Sequence, residues 1–290
     1  MCSSDLLFCE HFVVYRVPAV ASAIGNKTVA KVEDSQEFSF IDNRPETPGY
    51  KTKKKDEISR QVEALRKHFN LDSKRPVKIM LSGDLVCASG VGASAALAAS
   101  ISRALNEHFK LNLSDEEINK AAYVAEEAGS GTPSGIDNTC SVYGGFIVFQ
   151  KNLAGGSNRI EKLSTKKPIE IVMANSGITQ ETKKVVEDVK RLKEADPKKF
   201  ERIFADYQKV FDGGLNAIKN GDLTKLGTLM DENQRILAEM TLSCREVDEI
   251  IKAAKNAGAL GVKLTGTGRG GSVIALTPGE NLQNKVAAAI

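Results

Sequence analysis

The 290-residue chain lacks the residue patterns on which several classes of protein depend. Its five cysteines are an odd number and include no C-x-x-C pair, which argues against a disulfide framework and a zinc knuckle and indicates a reducing compartment. Three histidines are too few for a multi-histidine metal centre, and none belongs to an H-E-x-x-H motif. We therefore expect any bound metal to have oxygen ligands.

Long apolar segments and a large excess of one charge are also missing. No uninterrupted apolar stretch approaches the ~20 residues that span a bilayer, and the first residues do not combine a basic segment with an apolar one. The 40 Lys and Arg against 37 Asp and Glu leave a net charge of +3, so nothing indicates a coat for nucleic acid or anionic membranes. We expect a cytoplasmic protein with no nucleic-acid and no membrane partner, whose substrate can still be a small anion.

What is present is an ordinary globular composition, with 41% hydrophobic and 27% charged residues. The length slightly favours two domains, and we place them at residues 1–160 and 161–290. Strand-like runs in the first half predict a mostly antiparallel sheet, and apolar spacings of three and four predict helices. In the first half we predict strands at 6–15, 28–32, 37–41, 77–81 and 146–149, and helices after 55, 92 and 114. In the second half we predict a strand at 169–174, then four helices, two strands and a last helix at 279–290.

Ser89–Ser94 is a glycine-containing loop directly before a well-patterned helix. Such a loop places free backbone N–H groups at the positive end of the helix, where they can bind phosphate. It is not a Walker A loop, because the Gly-Lys-Ser/Thr ending is missing. Taken alone, the loop is equally compatible with a tight turn.

Two further stretches are hard to explain as packing. In Gly129–Asn138, glycines and hydroxyls surround the carboxylate of Asp137, and Glu126 lies 11 residues before it, near the end of a predicted helix. A helix end and a loop can bring both acids to one cavity, where one would hold Mg²⁺ and the other accept a proton; a solvated Glu and a turn Asp are the plainer alternative. Lys263–Gly271 contains four glycines between two strands, more than a hairpin requires.

Together the three stretches resemble the motifs of the GHMP kinases, in the order that the family has them. Residues 7–15 resemble the first motif, 90–96 the Gly-x-Gly-x-Ser phosphate loop and 263–271 the third motif. Glu10–Tyr15 combined with Gly131–Thr139 resembles, more narrowly, the mevalonate kinase branch of protist or prokaryotic type. The resemblance covers nearly the whole chain.

This resemblance implies a fold and an activity. The fold is the two-domain α+β GHMP kinase fold, with an N-terminal domain like domain 2 of ribosomal protein S5 and a ferredoxin-like C-terminal domain, which we expect to lack its last strand. The activity is phosphorylation of the C5 hydroxyl of mevalonate with ATP and Mg²⁺, a step of isoprenoid precursor biosynthesis. A homodimer is also implied as possible.

The resemblance further implies roles for individual residues. Ser94 and Glu126 match the family's Mg²⁺ ligands, and Asp137 matches the carboxylate that orients or deprotonates the hydroxyl. The residues that would wrap the ATP phosphates are Ser89, Gly90, Val91, Gly92, Ala93, Ser94 and Ala95. The residues that would line the substrate pocket or approach the phosphates are Glu10, His11, Thr265 and Gly266.

The chain also departs from the family pattern. Ser3 and Ser4 stand where the family has Gly-Lys, so the expected cation is missing there, and Arg16 or Lys263 are candidate substitutes. We expect both ends of the chain to be shortened or altered relative to the family. The alternatives to the leading hypothesis are a GHMP kinase for phosphomevalonate, a sugar or homoserine, and a nucleotide-binding homologue with impaired catalysis.

Overall fold

The computed structural model describes residues 2–8, 10–15, 17–71, 75–87, 92–131, 133–152, 156, 158–178, 180 and 182–290. The chain divides into two compact units. Unit 1 consists of Met1–Asp5 and Ala21–Ile147, and unit 2 of Leu6–Val20 and Val148–Ile290. A short segment near the start of the chain thus belongs to the unit that the C-terminal half forms. The domain boundary after residue 160 stays a prediction.

The described residues form both strands and helices. The strands are β1 Cys2–Phe8, β2 Ala19–Asp34, β3 Ser39–Asp42, β4 Val77–Gly83, β5 Phe146–Gln150, β6 Arg159–Leu163, β7 Ile171–Asn175, β8 Gly261–Thr265 and β9 Ser272–Leu276. The helices are α1 Tyr50–Lys53, α2 Lys55–His68, α3 Ala93–His108, α4 Asp115–Ser130, α5 Ile136–Tyr143, α6 Thr182–Ala195, α7 Pro197–Asn220, α8 Leu223–Glu239, α9 Arg245–Asn256 and α10 Glu280–Ala289, with a 3-10 helix at Phe12–Tyr15. Searched over the described residues, none of these helices is both long and apolar enough to span a bilayer.

Unit 1 is built on strand β4, which pairs with β2 antiparallel and with β3 parallel. Val77, Ile79 and Leu81 alternate along β4 and are buried in one core with apolar side chains of α2, α3 and α4. The small side chains in this core let α3 and α4 pack closely: Ala98, Ala99, Ala121, Ala122 and Ala125. The core therefore fixes the relative positions of three helices, and these helices carry the polar side chains described below.

Several local predictions can be compared with the structure. Helix α4 begins where predicted, after residue 114, and a capping box of Ser114 and Glu117 stabilises its start. The single strand predicted at 6–15 is wrong in its second half, because β1 ends at Phe8 and a 3-10 helix follows. Sequence patterns also missed helix α5, whose N-cap is Gly135 at φ 90°, a left-handed conformation that glycine adopts without strain. Asp137 consequently lies in the first turn of a helix and not in a loop.

Aromatic packing attaches residues 6–20 to unit 2. The ring of Phe12 stacks on Tyr207 of α7 with a centroid distance of 3.9 Å and meets Phe204 edge-on. Phe8 lies so close to Gly214 that a Cβ atom there would be 2.6 Å from the Phe8 ring. This segment is therefore held by α7, which explains why it belongs to unit 2 in spite of its place in the sequence.

The sheet of unit 2 has the order β7-β9-β8, with both pairs antiparallel. All residues of β8 and β9 are buried. The backbone of α8 lies in direct contact with the backbone of β8. A Cβ atom on Gly261 would lie 2.2 Å from the carbonyl oxygen of Gly227 in α8. Glycine at both positions is therefore a condition for this contact.

We predict that Gly261→Ala destabilises the protein by ~1–3 kcal/mol, because the added methyl group must push α8 away from β8. Gly25→Ala in strand β2 is the matched control, since a Cβ atom at Gly25 meets nothing within 4 Å. Its expected effect is within about 0.5 kcal/mol. The free energy of unfolding from urea titration measures both, and equal values for the two variants would contradict the proposed backbone contact.

Candidate active site

In unit 1, three side chains from three helices meet at one point. Ser94 is the second residue of α3, Glu126 lies near the end of α4, and Gln61 lies in the middle of α2. The Ser94 hydroxyl donates to Oε1 of Glu126 at 2.5 Å, and Nε2 of Gln61 donates to the same two oxygen atoms, also at 2.5 Å each. The two residues predicted as metal ligands are thus adjacent, and Gln61 is a partner that sequence reasoning missed.

The Glu126 carboxyl group is buried among neutral partners. The residue is 8% exposed, and burial raises its pKa to about 7, although the hydrogen bonds from Ser94 and Gln61 lower it. The negative charges of Asp137 and Glu57 raise the pKa further. A carboxylate in this position is stabilised by any cation that binds beside it.

Asp137 is half-buried in the first turn of α5, and its charge acts on Glu126. The two acids predicted to share a site therefore lie in one electrostatic environment within unit 1. Helix α5 packs against α3 and α4, the helices that carry Ser94 and Glu126.

The predicted phosphate-binding residues are only partly described. Ser89, Gly90 and Val91 lie outside the described residues. Gly92 is the N-cap of α3 in the left-handed conformation, at φ 63°, and without a side chain it makes no capping hydrogen bond. The N–H groups of the first turn lie at the positive end of α3, next to Ser94, and no side chain of the described residues caps them.

Arg44 supports the start of α3 and was not singled out by the sequence patterns. Its guanidinium group is buried, pairs with Asp42 at 2.7 Å and donates to the carbonyl oxygen of Ala93 at 2.8 Å. Lys51 donates to the carbonyl oxygens of Asp42 and Arg44. In the sequence, the only signal for this ion pair is an arginine two residues after an aspartate.

In unit 2, the Glu10 carboxylate is enclosed and paired. Lys263 of β8 forms an ion pair with it, and both side chains are fully buried. Lys263 Nζ also donates to the carbonyl oxygen of Leu264 at 2.7 Å, and Nδ2 of Asn233 donates to the second Glu10 oxygen at 3.3 Å. Both oxygens of Glu10 are thus engaged within the unit, by residues 223 and 253 positions away in sequence.

His11 has a defined tautomer. Its Nε2 lies 2.6 Å from the carbonyl oxygen of Thr267, and since a carbonyl only accepts, Nε2 carries the proton. Burial lowers the pKa of His11 and favours the neutral ring, which leaves Nδ1 as an acceptor. Within the described residues, this buried Nδ1 has no hydrogen-bond partner. Thr265 is buried at the end of β8, and Gly266 follows at φ 83° in the turn to β9.

Two family models match the chain, described as GHMP kinases N terminal domain over residues 56–145 and GHMP kinases C terminal over residues 215–290. A mevalonate kinase of Pyrococcus abyssi is 33% identical, over 98% of this chain and 89% of the relative. The chain belongs to the GHMP kinases.

Solved structures agree with this assignment. A crystal structure of L. major mevalonate kinase in complex with R-mevalonate has a TM-score of 0.95 and 35% identity, and the match covers 99% of this chain and 89% of that one. The Methanococcus jannaschii mevalonate kinase, at 23% identity, matches in fold with a TM-score of 0.80, over 99% of this chain and 92% of that one. The predicted fold class and the predicted family are confirmed.

The residues of this GHMP kinase fit a magnesium ion. Ser94 and Glu126 offer hard oxygen donors, and the buried carboxylate has only neutral hydrogen-bond partners among those described. The described part of the chain holds no group of three or more His, Cys, Asp and Glu that could bind a metal ion by itself. Two protein ligands completed by phosphate oxygens are the arrangement that Mg²⁺ commonly has in phosphotransferases.

The raised pKa of Glu126 predicts a specific pH dependence for the metal-free protein. Between pH 4.5, the ordinary pKa, and about pH 7, the folded state keeps a proton that the unfolded state has lost. Stability therefore falls as the pH rises through this window, by up to about 3 kcal/mol, since a difference of one in pKa is worth about 1.4 kcal/mol. Urea titrations at pH 5 and pH 8 should show a smaller loss for Glu126→Gln than for the natural sequence, and parallel losses would contradict the assignment.

The Glu10–Lys263 pair predicts a large stability effect of a single substitution. Lys263→Met leaves the Glu10 charge buried without a cation and should cost about 3–5 kcal/mol of unfolding free energy. Lys209→Met breaks an exposed pair with Asp206 and should cost less than about 1 kcal/mol. Adding Glu10→Gln to Lys263→Met should restore part of the loss, and thermal denaturation in which the double variant is no more stable than Lys263→Met would contradict this explanation.

Proposed function

We propose that this GHMP kinase transfers the terminal phosphate of ATP to the C5 hydroxyl of mevalonate, giving mevalonate 5-phosphate and ADP. The observation that carries the proposal is the grouping of Ser94, Glu126 and Asp137 in unit 1, in a chain 35% identical to a mevalonate kinase solved with R-mevalonate. Serine and acidic oxygens around a helix N-terminus suit the binding of a metal–nucleotide complex.

Ser94 and Glu126 would hold Mg²⁺, which when bound neutralises charge on the phosphates. Without the ion, the Ser94 hydroxyl donates a hydrogen bond to the Glu126 carboxyl group, so the two side chains are hydrogen-bonded to each other. The uncapped first turn of α3 would add N–H donors for the phosphates, together with the loop from Ser89 to Gly92. This arrangement supplies positioning and charge neutralisation, which account for most of the rate in phosphoryl transfer.

Asp137 would orient the substrate hydroxyl and accept its proton. Its position in the first turn of α5 holds the carboxylate on a rigid element. Lys263 is bound to Glu10 within unit 2, which argues against it as the substitute for the family's missing lysine. The other candidate, Arg16, lies outside the described residues. We infer that the metal ion bound with the nucleotide supplies the main positive charge near Asp137.

His11, Thr265 and Gly266 would contact the substrate or the phosphates, and Glu10 would hold its neighbour His11 in place. A neutral His11 offers Nδ1 as an acceptor for a hydroxyl group. Glu10 is better suited to support than to direct binding, because its side chain is fully buried and paired. A cytoplasmic location and a homodimer stay predictions.

We predict that the protein releases ADP when it is given mevalonate, ATP and Mg²⁺, and that Asp137→Asn lowers kcat by about 10²–10⁴-fold, since a positioned proton acceptor contributes this much. Binding of ATP with Mg²⁺, measured by calorimetry, should survive the substitution. Glu116→Gln, at an exposed acid in the first turn of α4, is the control and should keep full activity.

A substrate panel completes the test. Phosphomevalonate, galactose and homoserine should each give a lower kcat/KM than mevalonate. Turnover of one of these in preference to mevalonate, or no saturable turnover of mevalonate at any concentration, would overturn the proposal.

A further inference from the structure

Gln61 is a polar residue on the apolar face of α2. It lies three residues after Ile58 and four before Leu65, so that helical geometry turns it toward the core of unit 1. Only 1% of the residue is exposed. A buried amide is costly unless hydrogen bonds satisfy it, so its partners indicate why it is there.

The partners are the two oxygen atoms assigned above to the metal. Nε2 of the amide donates to both of them, Ser94 Oγ and Glu126 Oε1. The Ser94 hydroxyl in turn donates a hydrogen bond to Glu126 Oε1, so the three side chains form one hydrogen-bonded group. Because Gln61 uses only one of the two Ser94 lone pairs, the hydroxyl can bind a cation while the amide still holds it.

Gly129 provides the space that this amide needs. A Cβ atom at position 129 would lie 2.8 Å from Cγ of Gln61 and 3.1 Å from its Nε2. Gly129 has no positive φ that would require glycine, and it lies within α4, where alanine favours the helix more. The absence of a side chain at this position is therefore explained by the path of Gln61 toward the two oxygens.

We propose that Gln61 is a positioning residue for the cation site: its carboxamide holds Ser94 Oγ and the Glu126 carboxylate in the rotamers in which both bind one Mg²⁺ ion. The proposal rests on the metal site of the proposed function. Loss of a residue that hydrogen-bonds to a metal ligand commonly lowers metal affinity or activity about 10–100-fold. Gln61 thereby links the packing of α2 to the chemistry carried by α3 and α4.

The test measures Mg²⁺ affinity directly. Calorimetry follows binding of a non-hydrolysable ATP analogue at increasing Mg²⁺, and again in EDTA without the metal. Gln61→Met keeps the length of the side chain but removes its donors, and Gly129→Ala displaces the amide by an independent route. Each should weaken the Mg²⁺ dependence about 10–100-fold while metal-free binding of the analogue is unchanged.

Arg60→Met is the matched control at the same helix interface. Arg60 donates to the carbonyl oxygens of Ala128 and Gly129 in α4, at 2.9 and 2.7 Å, and among the described residues it makes no hydrogen bond to Ser94 or Glu126. Its loss should leave the Mg²⁺ dependence as in the natural sequence. Weakening equal to that of Gln61→Met would mean that helix packing is responsible and would overturn the proposal.

Ser94→Ala and Glu126→Gln separate failure of this inference from failure of the proposed function. If both lose Mg²⁺-dependent binding while Gln61→Met and Gly129→Ala keep it, the role of Gln61 is wrong and the metal site stands. If Ser94→Ala and Glu126→Gln also keep it, the metal site is wrong, and the role of Gln61 falls with it. Should Gln61→Met fail to fold, Gly129→Ala gives the decision alone.

Discussion

Unit 1 is organised around a buried carboxyl group that has no cationic partner among the described residues. The Glu126 side chain is buried and lies between the hydroxyl of Ser94 and the amide of Gln61. Burial makes its ionised form costly, and the nearby charge of Asp137 increases that cost. The helices α2, α3 and α4 must pack closely to assemble this group, and the alanines between α3 and α4 permit that approach.

A second buried carboxylate, Glu10 in unit 2, has the opposite arrangement. Lys263 neutralises it inside the unit, and Asn233 and the Leu264 carbonyl complete the hydrogen bonds of the pair. A charge compensated in this way supports structure and fixes the residues beside it, His11 among them. A charge left with neutral partners, as at Glu126, instead favours a cation from outside. The two units thus use the same residue type for different purposes.

Much of this organisation could be predicted from local patterns. Helical periodicity located α2, α3 and α4, and the predicted helix start after residue 114 agrees with Ser114 as the N-cap of α4. Ser94 and Glu126, selected by resemblance to a family, are adjacent in the structure. Helix α5 was missed because the glycine-containing segment that ends at its N-cap is typical of a loop. The strand at 6–15 was predicted too long because apolar β-branched residues also occur in the 3-10 helix at Phe12–Tyr15.

The sequence by itself determined the motifs and their order and the helices that carry Ser94 and Glu126, since these depend on residue type and on spacings of a few positions. Tertiary structure decided which side chains meet. Gln61 lies 65 positions from Glu126, and Lys263 lies 253 positions from Glu10. In local sequence, Gln61 is one more helix residue, and nothing near Lys263 indicates that Glu10 is its partner. Only packing of the distant elements brings each beside a buried carboxylate, where desolvation makes a hydrogen bond or an opposite charge necessary.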